Sequence, residues 1–318
     1  RFNKELSEVV NENYCIAISG GSDSLALAFL TKCLSFETKQ KYIFCHVDHR
    51  LRKSSNKEAK ETKKNLRKFA INLNVLKWTG SKKSSNIQEI ARLKRYDLLL
   101  KISKRYKINK ILTAHHKDDL YENFIIRLLR GSGLKGLISF KKKSSKISKF
   151  ENFFILKPFL KFSKNDLKYI TKNTFGTYIN DPSNEDSNYL RIYVRKVLEG
   201  INLKEKNIRN IDLSFANLER SNIAIEFYVN KNIEKNVKIK SKNKIILNKF
   251  FFDQPEEIVF RSLSSILNTF SNKLKLTRGS KISNLIKTYK KSERFYKRTL
   301  SGCIFEKVSN SLIISREI

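Results

Sequence analysis

The sequence contains no methionine, not even an initiator, so the extreme N-terminus is expected to have been lost or trimmed. Its four cysteines, Cys15, Cys33, Cys45 and Cys303, include no CxxC pair. That speaks against a zinc site or an iron–sulfur cluster. Cys15, Cys33 and Cys45 lie in or beside apolar runs, as a reduced, buried, cytosolic set would. No apolar run approaches the roughly 20 residues that cross a bilayer. The N-terminus is polar and charged, unlike a secretory signal peptide. A cytoplasmic protein with no membrane partner is expected. Acidic residues are scarce: 30 Asp and Glu face 66 Lys and Arg, a formal charge of +36. Solubility needs far less. Such an excess usually means a polyanion partner, nucleic acid before membrane. Part of it is also what an AT-rich genome would encode, since Lys, Asn, Ile, Ser and Phe are all abundant.

With 318 residues and 40% hydrophobic content, the chain can bury a core and suggests two domains. The first half alternates strand-type and helix-type patterns. Tyr14–Ile18, Lys41–Val47, Val75–Trp78 and Lys110–Ala114 read as strands. Between and after them, Ser22–Leu34, Ser55 to about Leu73, Asn86 to about Arg105 and Asp118–Arg130 read as helices. Ile90, Leu93, Leu98 and Ile102 are inward candidates on the third helix. This order predicts an α/β fold: a parallel twisted sheet with helices on both faces. Ligands of such sheets sit at the carboxyl ends of the strands. Ser139–Lys149 reads as a basic, irregular loop. The expected domains are 1–198 and 199–318, the second a smaller helical or α+β unit opened by a long helix from Ile201 to about Lys235. No internal repeat is visible.

Three polar clusters fall at predicted strand ends. The first is Ser19-Gly20-Gly21-Ser22-Asp23-Ser24. Gly20 and Gly21 allow a tight turn, and backbone N–H groups at the following helix start would face an anion. The serines add hydroxyls. The loop has no Walker lysine and is not a GxGxxG turn. A glycine turn with a serine cap is the plain alternative. Asp23 is the odd residue, because an acid inside an anion cradle repels phosphate unless it holds Mg²⁺ or a cationic substrate. The second cluster is His46-Val47-Asp48-His49-Arg50, which also reads as a solvated loop. The third, His115-His116-Lys117-Asp118-Asp119 with Glu122, packs two histidines and three acids into one helix start. Asp118 and Asp119 suit a helix dipole, but the paired histidines need another reason, and metal ligation is a rival. Arg92 and Arg95 stand one turn apart and could clamp phosphate, or form a solvated basic face.

With these segments placed, the chain resembles the PP-loop ATP pyrophosphatases, and within them the tRNA(Ile)-lysidine synthetase family. The matching residues are Ser19 to Ser24; Val47-Asp48-His49 with Leu51-Arg52, Ser55 and Glu58-Ala59; and Asn86, Gln88, Ala91-Arg92 and Arg95-Tyr96. His115-His116-x-Asp118-Asp119-x-x-Glu122 follows, then Arg127, Arg130-Gly131-Ser132-Gly133, Asp181-Pro182-Ser183-Asn184, Tyr189, Arg191 and Arg195. Beyond residue 200 the resemblance rests on Thr299-Leu300-Ser301-Gly302 and Ser315-Arg316-Glu317. Arg50, Leu120 and Asn123 depart from the family's Gly, Gln and Thr.

The resemblance implies that ATP adenylates the wobble cytidine of a CAU anticodon in tRNA(Ile), releasing pyrophosphate. The ε-amine of free L-lysine then displaces AMP. The modified anticodon reads AUA instead of AUG, and the tRNA changes identity from Met to Ile. On that view Ser19, Gly20, Gly21, Ser22, Asp23, Ser24, Asp48 and His49 bind ATP and pyrophosphate. The catalytic candidates are Asp23, His115, His116, Asp118, Asp119 and Glu122. Arg92, Arg95, Arg127, Arg130, Arg191 and Arg195 serve nucleotide or RNA phosphates, and Mg²⁺ is expected at Asp23 or Asp118. The basic segments Lys141–Lys149 and Lys235–Lys249 would hold tRNA, with a homodimer as one assembly the sequence allows. The rivals are a PP-loop thiolase, which the unpaired cysteines disfavour, a metal-dependent phosphohydrolase, and a tRNA-binding protein without activity.

Overall fold

The computed structural model describes residues 2, 13–52, 54–80, 87–140, 144–147, 150–179, 190–201, 205–270, 277–291 and 297–317. Asn86, Asp181–Asn184, Tyr189 and most of Lys141–Lys149 lie outside them. Contacts divide the chain into two compact units, Arg1–Ile208 and Arg209–Ile318.

The N-terminal unit runs β1 (Tyr14–Ile18), α1 (Ser22–Glu37), β2 (Tyr42–Asp48), α2 (Ser55–Arg67), β3 (Leu73–Lys77), α3 (Ile87–Arg105), β4 (Lys110–Leu112) and α4 (Lys117–Leu129). A short α5 (Leu134–Ile138), β5 (Ser144–Ile147), β6 (Phe150–Leu156), α6 (Lys164–Phe175) and α7 (Leu190–Gly200) follow. Strand order is β3-β2-β1-β4-β6-β5, parallel except where β5 runs antiparallel to β6. The chain winds outward from β1 to β3 and then crosses to β4 on the other flank of β1. The switch point of the sheet therefore lies between β1 and β4, where open α/β sheets bind ligands.

Strand periodicity sorts the core into two layers. Tyr14, Ile16 and Ile18 of β1 join Phe44, Leu112 and Leu156 on one face, packed with Leu25 and Leu27 of α1, Leu66 of α2 and Leu167 of α6. Cys15 lies on the other face with Ile43, Cys45 and Ile111, against Leu99 and Leu100 of α3. Helices thus cover both sides of the sheet.

Four details differ from the sequence expectations. The helix from Ser55 ends at Arg67, not Leu73, because Ala70 turns left-handed (φ 53°) and Phe69 and Ile71 donate back to Leu66 O. Leu93 is 48% exposed; its helix turns Ala91, Leu99 and Leu100 inward instead. Ser144–Ile147 is a strand rather than loop. As a short edge strand it is held by main-chain pairing to β6, so it needs no apolar alternation. Cys33 is exposed, while the other three cysteines are buried.

The C-terminal unit holds most of α8 (Glu205–Asn236), then β7 (Val237–Ser241), β8 (Lys244–Leu247), a 3-10 turn at Lys249–Phe251, α9 (Glu256–Phe270), α10 (Gly279–Lys291), β9 (Arg298–Leu300), β10 (Cys303–Val308) and β11 (Ser311–Arg316). Its antiparallel sheet, ordered β7-β8-β11-β10-β9, buries Leu247, Phe305, Leu312 and Ile314 against Val259, Leu263 and Leu267 of α9 and Ile282 of α10. It is an α+β unit.

Candidate active site

The loop after β1 is knotted by one hydroxyl. Ser24 Oγ accepts from the backbone N–H of Ser19 (3.1 Å) and Gly20 (3.0 Å) and donates to Gly21 O (2.9 Å). Ser24 is thus consumed inside the loop and is not one of its open donors. The cradle falls to the first turn of α1, whose leading N–H groups have no intrahelical acceptor. Its N-cap, Gly21, makes no side-chain capping bond. Gly20 has a φ of +97°, and a Cβ there would lie 2.6 Å from Thr62 Oγ1. A Cβ on Gly21 would make only ordinary contact, its nearest neighbour 3.8 Å away.

Across the switch point, β4 delivers Thr113 to Asp119. Main-chain bonds Thr113 N to Leu156 O and Lys117 N to Phe162 O tie this segment to β6 and the chain beyond it. His116 is the N-cap of α4 and is 2% exposed. Its Nε2 lies 3.6 Å from Asp23 Oδ2 and 3.5 Å from Asp119 Oδ2, and its Nδ1 lies 3.4 Å from Asp118 Oδ2. Burial works against charging this ring. Hydrogen bonds to Asp118 and Asp23, and the charges of Asp119 and Asp23, outweigh it and lift the pKa to about 10. Nδ1 is also 3.4 Å from the Asp119 N–H, but a protonated Nδ1 cannot accept. The ring then donates to Asp118, and the start of α4 is held by Asp119 Oδ2 accepting from His116 N at 3.1 Å.

Asp23 and Asp118 are the complement. Burial raises each, but His116 holds both carboxyls below their usual range, with help from Ser22 at Asp23 and from Lys164 N–H at Asp118. That amide donates to Asp118 Oδ2 at 2.7 Å, so Asp118 also anchors the start of α6. The misplaced acid of the glycine loop therefore has a resident counter-charge.

His115 is the opposite case. Its Nδ1 is 2.9 Å from Thr113 Oγ1, and its ring meets Phe140 edge-on at 5.3 Å. Burial lowers its pKa to about 4, with Lys157, Arg191 and Arg92 adding to the effect against Asp119. It is neutral at pH 7.

Glu122, 2% exposed, sits under two arginines of α7. Arg195 Nε donates to Oε1 at 2.6 Å and its NH2 to Oε2 at 3.1 Å. Arg191 Nε reaches Glu122 Oε2 at 2.9 Å while its NH2 reaches Asp119 Oδ1 at 2.7 Å. Read from sequence, Glu122 was a catalytic candidate and these arginines were phosphate ligands. Here they are bound to one another, and Arg191 bridges the acids three apart on α4. Nothing in the local sequence links Glu122 to residues about seventy positions away; only the fold does.

Lys157, which the sequence reading missed, lies just beyond β6 and is 8% exposed. Its Nζ donates to Phe140 O at 2.9 Å and sits 4.1 Å from that ring's centroid. Burial, then Arg92 and Arg127, lower its pKa to about 8. Arg92, Arg127 and Lys157 thus form a cationic wall beside His115. Arg127 Nε donates to Asn123 Oδ1 at 2.8 Å, and Arg130 caps α4 at its C-terminus. The signal was in the sequence: Lys157 stands inside the apolar run Phe153-Phe154-Ile155-Leu156-Lys157-Pro158-Phe159-Leu160, as a buried cation would.

The end of β2 adds two unsatisfied buried atoms. Asp48 is 2% exposed; its Oδ1 accepts from Arg50 N at 2.9 Å, but Oδ2 has no hydrogen-bond partner. His49 Nδ1 has none either, and Arg95 Nε approaches His49 Nε2 at 3.4 Å. Buried polar atoms are rarely left unpaired, and an acceptor at a strand end suits a ligand that brings N–H or O–H groups. A cavity of about 430 Å³ opens elsewhere in this unit, between Trp78 and Lys94, Lys101 and Lys104. None of the candidate site residues lines it.

Comparison with known proteins places the chain in a family. A PP-loop domain model matches residues 1–200. Over 315 residues the chain is 33% identical to the tRNA(Ile)-lysidine synthase of Orientia tsutsugamushi (strain Boryong), covering 96% of this chain and 70% of the relative. It is 31% identical to that of Rickettsia typhi (strain ATCC VR-144 / Wilmington), covering 95% and 69%. For that of Wolbachia pipientis wMel the figures are 30% identity, 98% and 72%. Among solved structures, the U34-tRNA thiolase NcsA from Methanococcus maripaludis with its [4Fe-4S] cluster superposes with a TM-score of 0.56 over 69% of this chain and 76% of its own. At 17% identity that likeness concerns the fold alone.

Proposed function

The chain belongs to the tRNA(Ile)-lysidine synthase family of PP-loop enzymes, and on that premise we propose how its residues divide the work of joining free lysine to the wobble cytidine of tRNA(Ile). As a ligase of this family it uses ATP. The reading followed here is that ATP is cleaved to pyrophosphate and an adenylated base, from which lysine displaces AMP.

The observation that carries the assignment is the meeting of Asp23 and His116 across the switch point, 3.6 Å apart. The imidazolium offsets the one carboxylate in the anion loop. The open amides of Gly21 and the first turn of α1 can then receive phosphate oxygens without net repulsion. Asp48 Oδ2 makes no hydrogen bond, only an ion pair with Arg50 Nε at 3.9 Å, and suits an N–H or O–H of the nucleoside. Arg92, Arg127 and Lys157 supply positive charge for an anion leaving or entering beside His115.

Free lysine arrives as an ammonium and needs carboxylates to hold it. Asp23 and Asp119 meet at His116 Nε2 and Asp118 at its Nδ1, and this carboxylate cluster fits that duty. Glu122, gripped by two arginines, sets the position of Asp119 through Arg191 instead of meeting substrate. The amine must lose a proton before it attacks. His116 is already charged and cannot take it; His115 is neutral and can, although its low pKa makes it a weak base. Among the described residues no group of three or more side chains is arranged for a metal ion. Mg²⁺ usually needs only one or two carboxylates plus phosphate oxygens, and Asp23 and Asp118 would supply those. When bound it would neutralise phosphate charge.

The test is direct. The protein is incubated with ATP, labelled lysine and a CAU-anticodon tRNA(Ile), and label is counted in the tRNA. Incorporation is expected, and Asp23→Asn and Asp118→Asn should each lower it about 100-fold or more while the circular dichroism spectrum is kept. Full activity in both variants would remove this site assignment, and no incorporation by the parent would remove the function.

A further inference from the structure

A second groove, of about 220 Å³, lies wholly within the C-terminal unit. Tyr228, Lys231, Asn232, Lys235 and Asn236 line it from successive turns of α8, and Gln254 closes it from the segment after the 3-10 turn. The helical residues are spaced three and four apart, so they form one continuous face. None of the six lining residues is acidic.

Tyr228 is the aromatic lining residue, and two further exposed aromatic residues contact lining residues from outside the groove. Tyr228 is 55% exposed and meets the 61% exposed Phe227 edge-on, with ring centroids 5.4 Å apart. Lys231 Nζ lies 5.9 Å from the Phe227 ring. Phe250, also 55% exposed, has Lys249 Nζ 4.9 Å from its centroid and receives the Gln254 side-chain amide on its carbonyl at 3.3 Å. The floor is rigid. Asn232 is 3% exposed, donates to Ser262 Oγ at 3.1 Å, and accepts from Asn236 Nδ2 at 2.8 Å. An aromatic face, amides and lysines in one groove match what single-stranded RNA offers: a base to stack, an edge to hydrogen-bond and phosphates on either side.

We propose that this groove receives an unstacked nucleobase of the tRNA. Tyr228 supplies the stacking face, Asn236 and Gln254 read the base edge, and Lys231 and Lys235 hold the flanking phosphates. The proposal rests on the reading of tRNA as substrate. An apolar protein partner fits less well, since four of the six lining residues are amides or lysines besides Asn232 and the net charge of the chain is +36.

Binding of a CAU-anticodon tRNA(Ile) transcript is measured against KCl concentration for the parent protein and three variants. Tyr228→Ala is expected to weaken binding about 10-fold with an unchanged salt slope, because stacking releases no counterions. Tyr228→Phe keeps the ring and should bind as the parent does. Lys231→Ala with Lys235→Ala should flatten the slope by about 1.4, about 0.7 for each single-strand phosphate contact. The KM for ATP should stay constant throughout. Parent-like binding by Tyr228→Ala overturns the proposal, as does a Tyr228→Phe variant as weak as Tyr228→Ala. A change confined to sedimentation, with tRNA binding intact, would make the groove a contact between protein copies and also overturn it. If the parent itself neither binds nor modifies tRNA, the functional reading fails first, and the two failures are told apart.

Discussion

Two adjacent histidines of one loop carry opposite charge states, and the difference comes from their neighbours alone. His116 faces three carboxylates; His115 faces a threonine hydroxyl, a phenyl ring and a set of cations. The consequence for stability has a definite sign. Burial lowers His115 and His49 to about 4, and it lowers His46 as well. An unfolded chain, with these rings near 6.5, binds protons first as the pH falls. Their contribution to stability is complete above about 6.5 and is lost towards pH 4. His116 runs the other way: raised to about 10, it contributes fully below about 6.5 and is lost progressively as the pH rises from there to 10. Thermal unfolding should therefore show its highest midpoint near pH 6.5 to 7, falling towards about 4.5 on the acid side and towards about 10 on the alkaline side. A midpoint unchanged over that acid window would contradict the buried neutral histidines.

Among the elements, the β1–α1 turn makes the sharpest claim, because its two glycines differ. Gly20 adopts a φ of +97° and has Thr62 Oγ1 within 2.6 Å of a Cβ position, whereas Gly21 has room. Gly20→Ala should cost about 1–3 kcal/mol of stability in chemical denaturation and abolish ATP binding with it. Gly21→Ala should fold normally and weaken ATP binding alone, since its methyl group would stand where phosphate approaches. Equal unfolding midpoints for the two variants would refute the distinction. This turn was legible from sequence because its signal is local: an apolar run, two glycines, a helix start. The ends of β2 and β4 were legible for the same reason. The pairing of Glu122 with Arg191 and Arg195 and the use of Ser24 inside its own loop were not. Each depends on which distant segments the fold brings near, or on which of several hydroxyl partners is closest. The strand at Ser144–Ile147 was missed for a third reason, its short polar pattern, which main-chain pairing tolerates at a sheet edge.

For the whole molecule, the net charge of +36 predicts an RNA affinity governed by counterion release. The logarithm of the tRNA binding constant should fall linearly with the logarithm of KCl concentration, by about 0.7 to 0.9 for each phosphate neutralised. Filter binding across a salt series measures this, and a flat line would separate the charge from RNA. The surplus has another consequence. The outermost strands of both sheets each carry a basic residue: Lys77 on β3, Lys146 on β5, Lys238 and Lys240 on β7, Arg298 on β9. Charge on an outermost strand discourages two molecules from zipping together along their free backbone edges. Cations that attract a polyanion are thus also the guard against self-aggregation, and a chain trimmed of lysines to loosen its hold on RNA would lose colloidal stability along with it.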